Sequence, residues 1–175
     1  FSCQTYDILH DKDQNILSYS GFFWGLLFCC QVQVFGLAVF GTQCSLWLTG
    51  LSQSIHRRAA RGLCGAWENL SVYRANIMAE NVAVLMLVLY CRQVHMCEEN
   101  PGGTYLFRYE TQAFVQQILW LDFIHTWLIF FGHWLPKPTR LMGSLVGMKS
   151  LTRKYSKQIW ERRRKTLLIQ LQRRN

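Results

Sequence analysis

Residues 21–40 read GFFWGLLFCCQVQVFGLAVF, twenty positions without a charge, inside a longer run of 43 residues (14–56) that holds no Lys, Arg, Asp or Glu. A helix of about 20 residues rises roughly 30 Å, the thickness of a bilayer's hydrocarbon core. An uncharged apolar stretch of this length has no ordinary place in the core of a 175-residue chain. It predicts a first transmembrane helix. The apolar character continues through Leu46, Trp47, Leu48 and Leu51, so segment 16–51 is read as that helix plus an interfacial extension with Trp47 at the headgroups.

Working outward, two further runs have similar character. Residues 76–91, NIMAENVAVLMLVLYC, lie between Arg74 and Arg92, and residues 111–136 are interrupted only by Asp122, His125 and His133 before Pro136 and Pro138. The expectation is an all-α polytopic membrane protein with three transmembrane helices and a basic amphipathic C-terminal helix. Its parts are an N-terminal segment (1–15), the first span (16–51), a basic loop (52–74), a second span (75–92), an outer loop (93–110), a third span (111–136) and a tail (137–175).

Charge orients this arrangement. Three crossings put sixteen basic residues on one side and only Lys12, Arg92 and Arg108 on the other. The excess of Lys and Arg on one face places the N-terminus outside and the tail in the cytosol or matrix. Asn69-Leu70-Ser71 is a glycosylation sequon that this topology puts on the inner side.

Within the spans the informative residues are Glu80, Asn81, Asp122, His125 and His133, with Gln116 and Gln117 nearby. A carboxylate at the bilayer centre costs roughly 2.5–3.5 kcal/mol on insertion scales and needs a partner, a proton or water. Asp122 and His125, three apart, would share one helical face. Glu80 and His133 come out at similar depth near the inner surface, at a rise of about 1.5 Å per residue. A proton or ion relay and plain interhelical bonding are both consistent with this set. Gly21 and Gly25, with Gln31 and Gln33, suggest a helix face that meets protein.

The seven cysteines form no CxxC pair and no zinc pattern. Cys91 and Cys97 could bridge if their compartment is oxidising. The tail (149–175) has ten basic residues and one acid. Arg153, Lys154, Lys157, Arg162, Arg163, Arg164 and Lys165 would bind anionic headgroups or a partner's acidic surface, at about 1 kcal/mol per basic residue near lipid. Nucleic acid is not expected, because a tethered tail has lipid as its nearer anionic partner.

Tyr73-Arg74 followed by Glu80-Asn81, then a last span closing on a proline, resembles the final helices of the XK-related lipid scramblases over residues 70–140. The family's closing His-Pro is replaced here by His133-Trp134-Leu135-Pro136. The resemblance implies a shortened lipid-handling bundle in which Glu80 and Asn81 are structural. With no nucleophile or metal set to assemble, and no cofactor implied, the sequence points to a non-catalytic membrane subunit of a larger assembly (channel, transporter, respiratory or biogenesis). A transport or scrambling bundle using Glu80, Asp122, His125 and His133 is the alternative.

Overall fold

The Ser18 hydroxyl accepts the Gly21 N–H at 3.0 Å and starts a helix, α1, over Tyr19–Gln31. There the predicted first span stops being a helix. Gln31-Val32-Gln33-Val34 alternates with period two, Phe35 takes a left-handed φ of 60°, and the chain re-emerges as strand β1, Leu37–Phe40. A computed structural model describes residues 3–7, 9, 11–49, 63–131, 133, 135–156, 158 and 161, and all that follows concerns those residues. The architecture is mixed α/β, which overturns the all-α, three-span, multi-pass expectation.

Helix α2, Leu70–Cys91, is the one helix among the described residues long and apolar enough to cross a membrane. Nearly half of its most apolar stretch is buried by the rest of the chain. Asn69 starts it, its side chain accepting the N–H groups of Ser71 and Val72, so the residue of the glycosylation motif is a helix cap. Val72, Asn76, Ala79, Val82, Ala83, Leu85, Met86 and Leu89 form its buried face, at the three- and four-residue spacing of one helical side. One side of this apolar 22-residue helix is thus packed against the rest of the chain.

Strand β2, His95–Pro101, follows at once and lies in what the sequence marked as an outer loop. Helix α3, Glu110–Ile118, occupies only the start of the predicted third span. Trp120 then adopts φ 52°, and the rest of that span becomes strand β3, Asp122–Trp127, and a short 3-10 turn, Leu128–Phe131. Ile124, Thr126 and Trp127 favour extended backbone, which competes successfully with helix once the left-handed residue has ended α3. Strand β4, Pro138–Gly143, completes the set.

The four strands form one sheet in the order β1-β2-β4-β3. β1 runs parallel to β2, with Leu37 opposite His95 and Phe40 opposite Glu98, and α2 lies in the crossover between them. β4 is antiparallel to both its neighbours. One side of the sheet (Ala38, Phe40, Met96, Met142, Phe123) packs under the helices with Cys29, Leu85, Met86, Leu89, Val115 and Leu119. The other side (Cys97, Ile124, Leu141) is covered by Leu145, Met148 and Leu151 around a 3-10 turn, Met148–Leu151. Gly143 fits because a Cβ there would lie 2.2 Å from the Met96 carbonyl oxygen on the adjoining strand.

The predicted tail helix is absent from Thr152 to Ser156, where Tyr155 stacks on Trp127 with centroids 4.4 Å apart, whereas Gln158 and Glu161 further on are helical. Lys157, Arg162, Arg163, Arg164 and Lys165 lie outside the described residues, as do Leu51 and Trp134. Trp47, expected at the headgroups, is 1% exposed and packs against Tyr109 with ring centroids 5.1 Å apart.

Candidate functional site

The fold separates most of the polar residues singled out in the sequence from one another. Asn81 Nδ2 donates to the Ile16 carbonyl at 2.7 Å and ties α2 to the approach to α1. The Tyr109 hydroxyl donates to Glu80 Oε1 at 2.7 Å, and burial together with that carboxylate raises the phenol's pKa. His133 Nδ1 accepts the Leu135 N–H at 3.1 Å, a local turn contact. Glu80 and His133 are not hydrogen-bonded to each other, and each has a nearer partner.

Asp122 and His125 do not share a face. In a strand, residues three apart point to opposite sides of the sheet. Asp122 pairs with Lys149 at 3.0 Å on the turn-covered side, whereas His125 stands opposite Arg140 on the helix-facing side. The helical spacing that linked them belongs to a helix that does not form there. Gln116, Gln117 and Asp122 do come together: with Trp120 and Leu121 they line a shallow, open depression at the end of α3.

Gly21 and Gly25 lie on the buried side of α1. A Cβ on Gly21 would lie 2.0 Å from the Asn15 carbonyl oxygen, and one on Gly25 would be in ordinary contact with Leu85 of α2. Gln31 and Gln33 are exposed. Cys91 is exposed at the end of α2 and Cys97 is buried in β2, both as free thiols. Arg153 is exposed and donates to the carbonyls of Ser150 and Thr152, and Lys154 is exposed beside it.

The most unusual polar cluster lies on β2. Glu98 and Asn100 are both fully buried, two residues apart and therefore on the same, helix-facing side. The Thr42 hydroxyl donates to Glu98 Oε1 at 2.5 Å, and Asn100 Nδ2 donates to the Thr42 carbonyl at 2.9 Å. Together these bonds clamp the chain as it leaves β1. Among the described residues Glu98 Oε2 and Asn100 Oδ1 have no hydrogen-bond partner. Burial pushes the Glu98 carboxyl up to about 7, against a smaller opposing effect of the Thr42 bond. Sequence reasoning passed over this cluster because Glu98-Glu99-Asn100-Pro101 reads as a polar loop. No spacing signal marked it.

The two edges of the sheet differ. β3 carries Asp122 and His125, and Tyr155 covers its last residue, Trp127. β1 pairs only with β2 among the described residues, and its outward side chains Leu37 and Val39 are 50% and 66% exposed. Val34 and Phe35 just before it, and Phe23 and Trp24 on α1, are also exposed. Comparison with models of protein families, with curated proteins and with solved structures finds no match to this chain.

Proposed function

We propose that this chain is a non-catalytic subunit of a larger assembly, joined to its partner by an extended segment of the partner protein laid along β1 as an added strand. The observation that carries the reading is the β1 edge, unpaired among the described residues, with Leu37 and Val39 exposed and no charged residue anywhere from position 14 to 56. Edge strands are ordinarily blunted by charge, proline, a bulge or a covering segment, because their free N–H and C=O groups recruit other strands. A bare apolar edge suits strand addition, in which main-chain bonds supply affinity and alternate side-chain positions supply specificity. The occupant is taken to be protein because hydrocarbon offers no partner to those backbone groups. The partner segment would be neutral and apolar at alternate positions, to match Leu37 and Val39.

The test is the native size of the tagged chain in mild extracts, compared with Val39→Lys and with the α2 surface control Tyr73→Lys. A large defined complex that Val39→Lys dissolves and Tyr73→Lys leaves intact would support the reading. A monomer, a homo-oligomer of the purified chain alone, or equal behaviour of the two variants would sink it. Co-sedimentation with protein-free lipid vesicles that both variants retain would also count against a protein-bound edge.

A further inference from the structure

On the helix-facing side, toward the Pro101 end of β2, the register sets Asn100, Arg140 and His125 in one row across three strands. The Arg140 guanidinium lies over the Phe123 ring, 5.8 Å from its centroid. Phe123 is in turn 5.9 Å from the His125 ring and 5.0 Å, edge to face, from Phe107. That last contact seats the 3-10 turn Leu106–Arg108 against Phe123, and Arg108, next in that turn, is exposed. Arg140 and His125 thus flank the Phe123 ring, and Arg108 lies near enough to Arg140 to oppose its charge.

No ion pair among the described residues neutralises them. Among the described residues the ion pairs are Glu99–Lys137 and Asp122–Lys149, neither of which involves this row. Glu98, two residues from Asn100, is engaged with Thr42. Arg140 Nε is buried without a hydrogen-bond partner among the described residues. The basic groups also oppose one another: burial first and Arg108 second lower the Arg140 pKa, while burial first and Arg140 second lower that of His125. Gathering like charges without a counter-ion is unfavourable, and an anion between them reverses the sign of that interaction. A planar guanidinium fork suits tetrahedral oxyanions in a bidentate manner. A phosphate monoester carries about −1.5 to −2 near neutral pH, which matches two arginines and a titrating imidazole.

We propose that Arg140, Arg108 and His125 form a binding site for a phosphate monoester. The guanidinium groups would hold the phosphoryl oxygens, and the imidazole would bind as its protonated form. This inference stands apart from the β1 edge and does not depend on it.

The experiment follows the His125 ring protons of the full chain by NMR as pH is varied. The additions are inorganic phosphate, vesicles of phosphatidylcholine doped with phosphatidic acid, and chloride at matched ionic strength. Bound phosphate should raise the His125 pKa from below its ordinary value to above it, and chloride should not. Arg140→Gln should weaken binding about tenfold or more. Arg108→Gln, at an exposed position that leaves the fold intact, should weaken it as well. A response to free phosphate would identify a soluble monoester as the ligand, and a response to the vesicles alone would identify a lipid headgroup. No change with either addition, a change that chloride reproduces, or full binding in both arginine variants would overturn the site.

Discussion

Glu98 shows how a single side chain can tie stability to pH. Its carboxyl is raised from 4.5 to about 7 by complete burial, so the folded state holds a proton that the unfolded chain has already released. Stability from this group is fully present below the unfolded value and declines as pH rises toward the folded one. A difference of that size corresponds to about 3 kcal/mol. Urea midpoints of the wild type should therefore fall between pH 4.5 and about 7. Glu98→Gln keeps an oxygen to accept from Thr42 and has no charge to lose, so its curve should be flatter over the same interval. Parallel curves for the two proteins would remove Glu98 from the account.

Among the elements, α2 is the one that the sequence declares most fully. Its apolar run was legible from position 76, and its cap at Asn69 was visible only as a glycosylation motif. Because Asn69 holds the N–H groups of Ser71 and Val72, Asn69→Ala should cost about 1 kcal/mol and Asn69→Asp much less, as read from thermal or urea unfolding. The other two apolar runs misled for a physical reason. Composition records that residues are apolar and not whether they repeat every two or every 3.6 positions, and in 21–40 and 111–136 the period changes midway. The change falls at Phe35 and Trp120, both bulky residues with positive φ, a conformation that a sequence signals only when glycine or asparagine supplies it. The polar residues inherited that error. Asp122 and His125 looked like helical neighbours and are strand residues on opposite sides of the sheet. Glu98 and Asn100 looked like a loop and are buried in the sheet. Asn81 and Glu80 were visible because polar groups inside an apolar helix stand out whichever solvent surrounds it.

For the whole molecule, the layered packing sorts the seven thiols into classes. Cys3, Cys30 and Cys91 are exposed, Cys44 and Cys64 are half-buried, and Cys29 and Cys97 are buried. Burial holds the latter two thiols at about 11, each reinforced by neighbouring ionisable groups. A brief maleimide pulse on the native protein, read by peptide mass spectrometry, should label the first three rapidly. Cys29 and Cys97 should remain unlabelled until denaturant is added. Early labelling of Cys97 would mean that β2 is not the interior strand described here. The order β1-β2-β4-β3 also bears on how the chain reaches this state. β3 and β4 are close in sequence and antiparallel, so they can meet after closing a short loop. β1 must wait for α2 and β2 before it has any partner, and closing such a distant contact slows folding. During synthesis β1 leaves the ribosome first and pairs late. Throughout that interval an uncharged strand is without a neighbour, which leaves it open to any other chain that offers one.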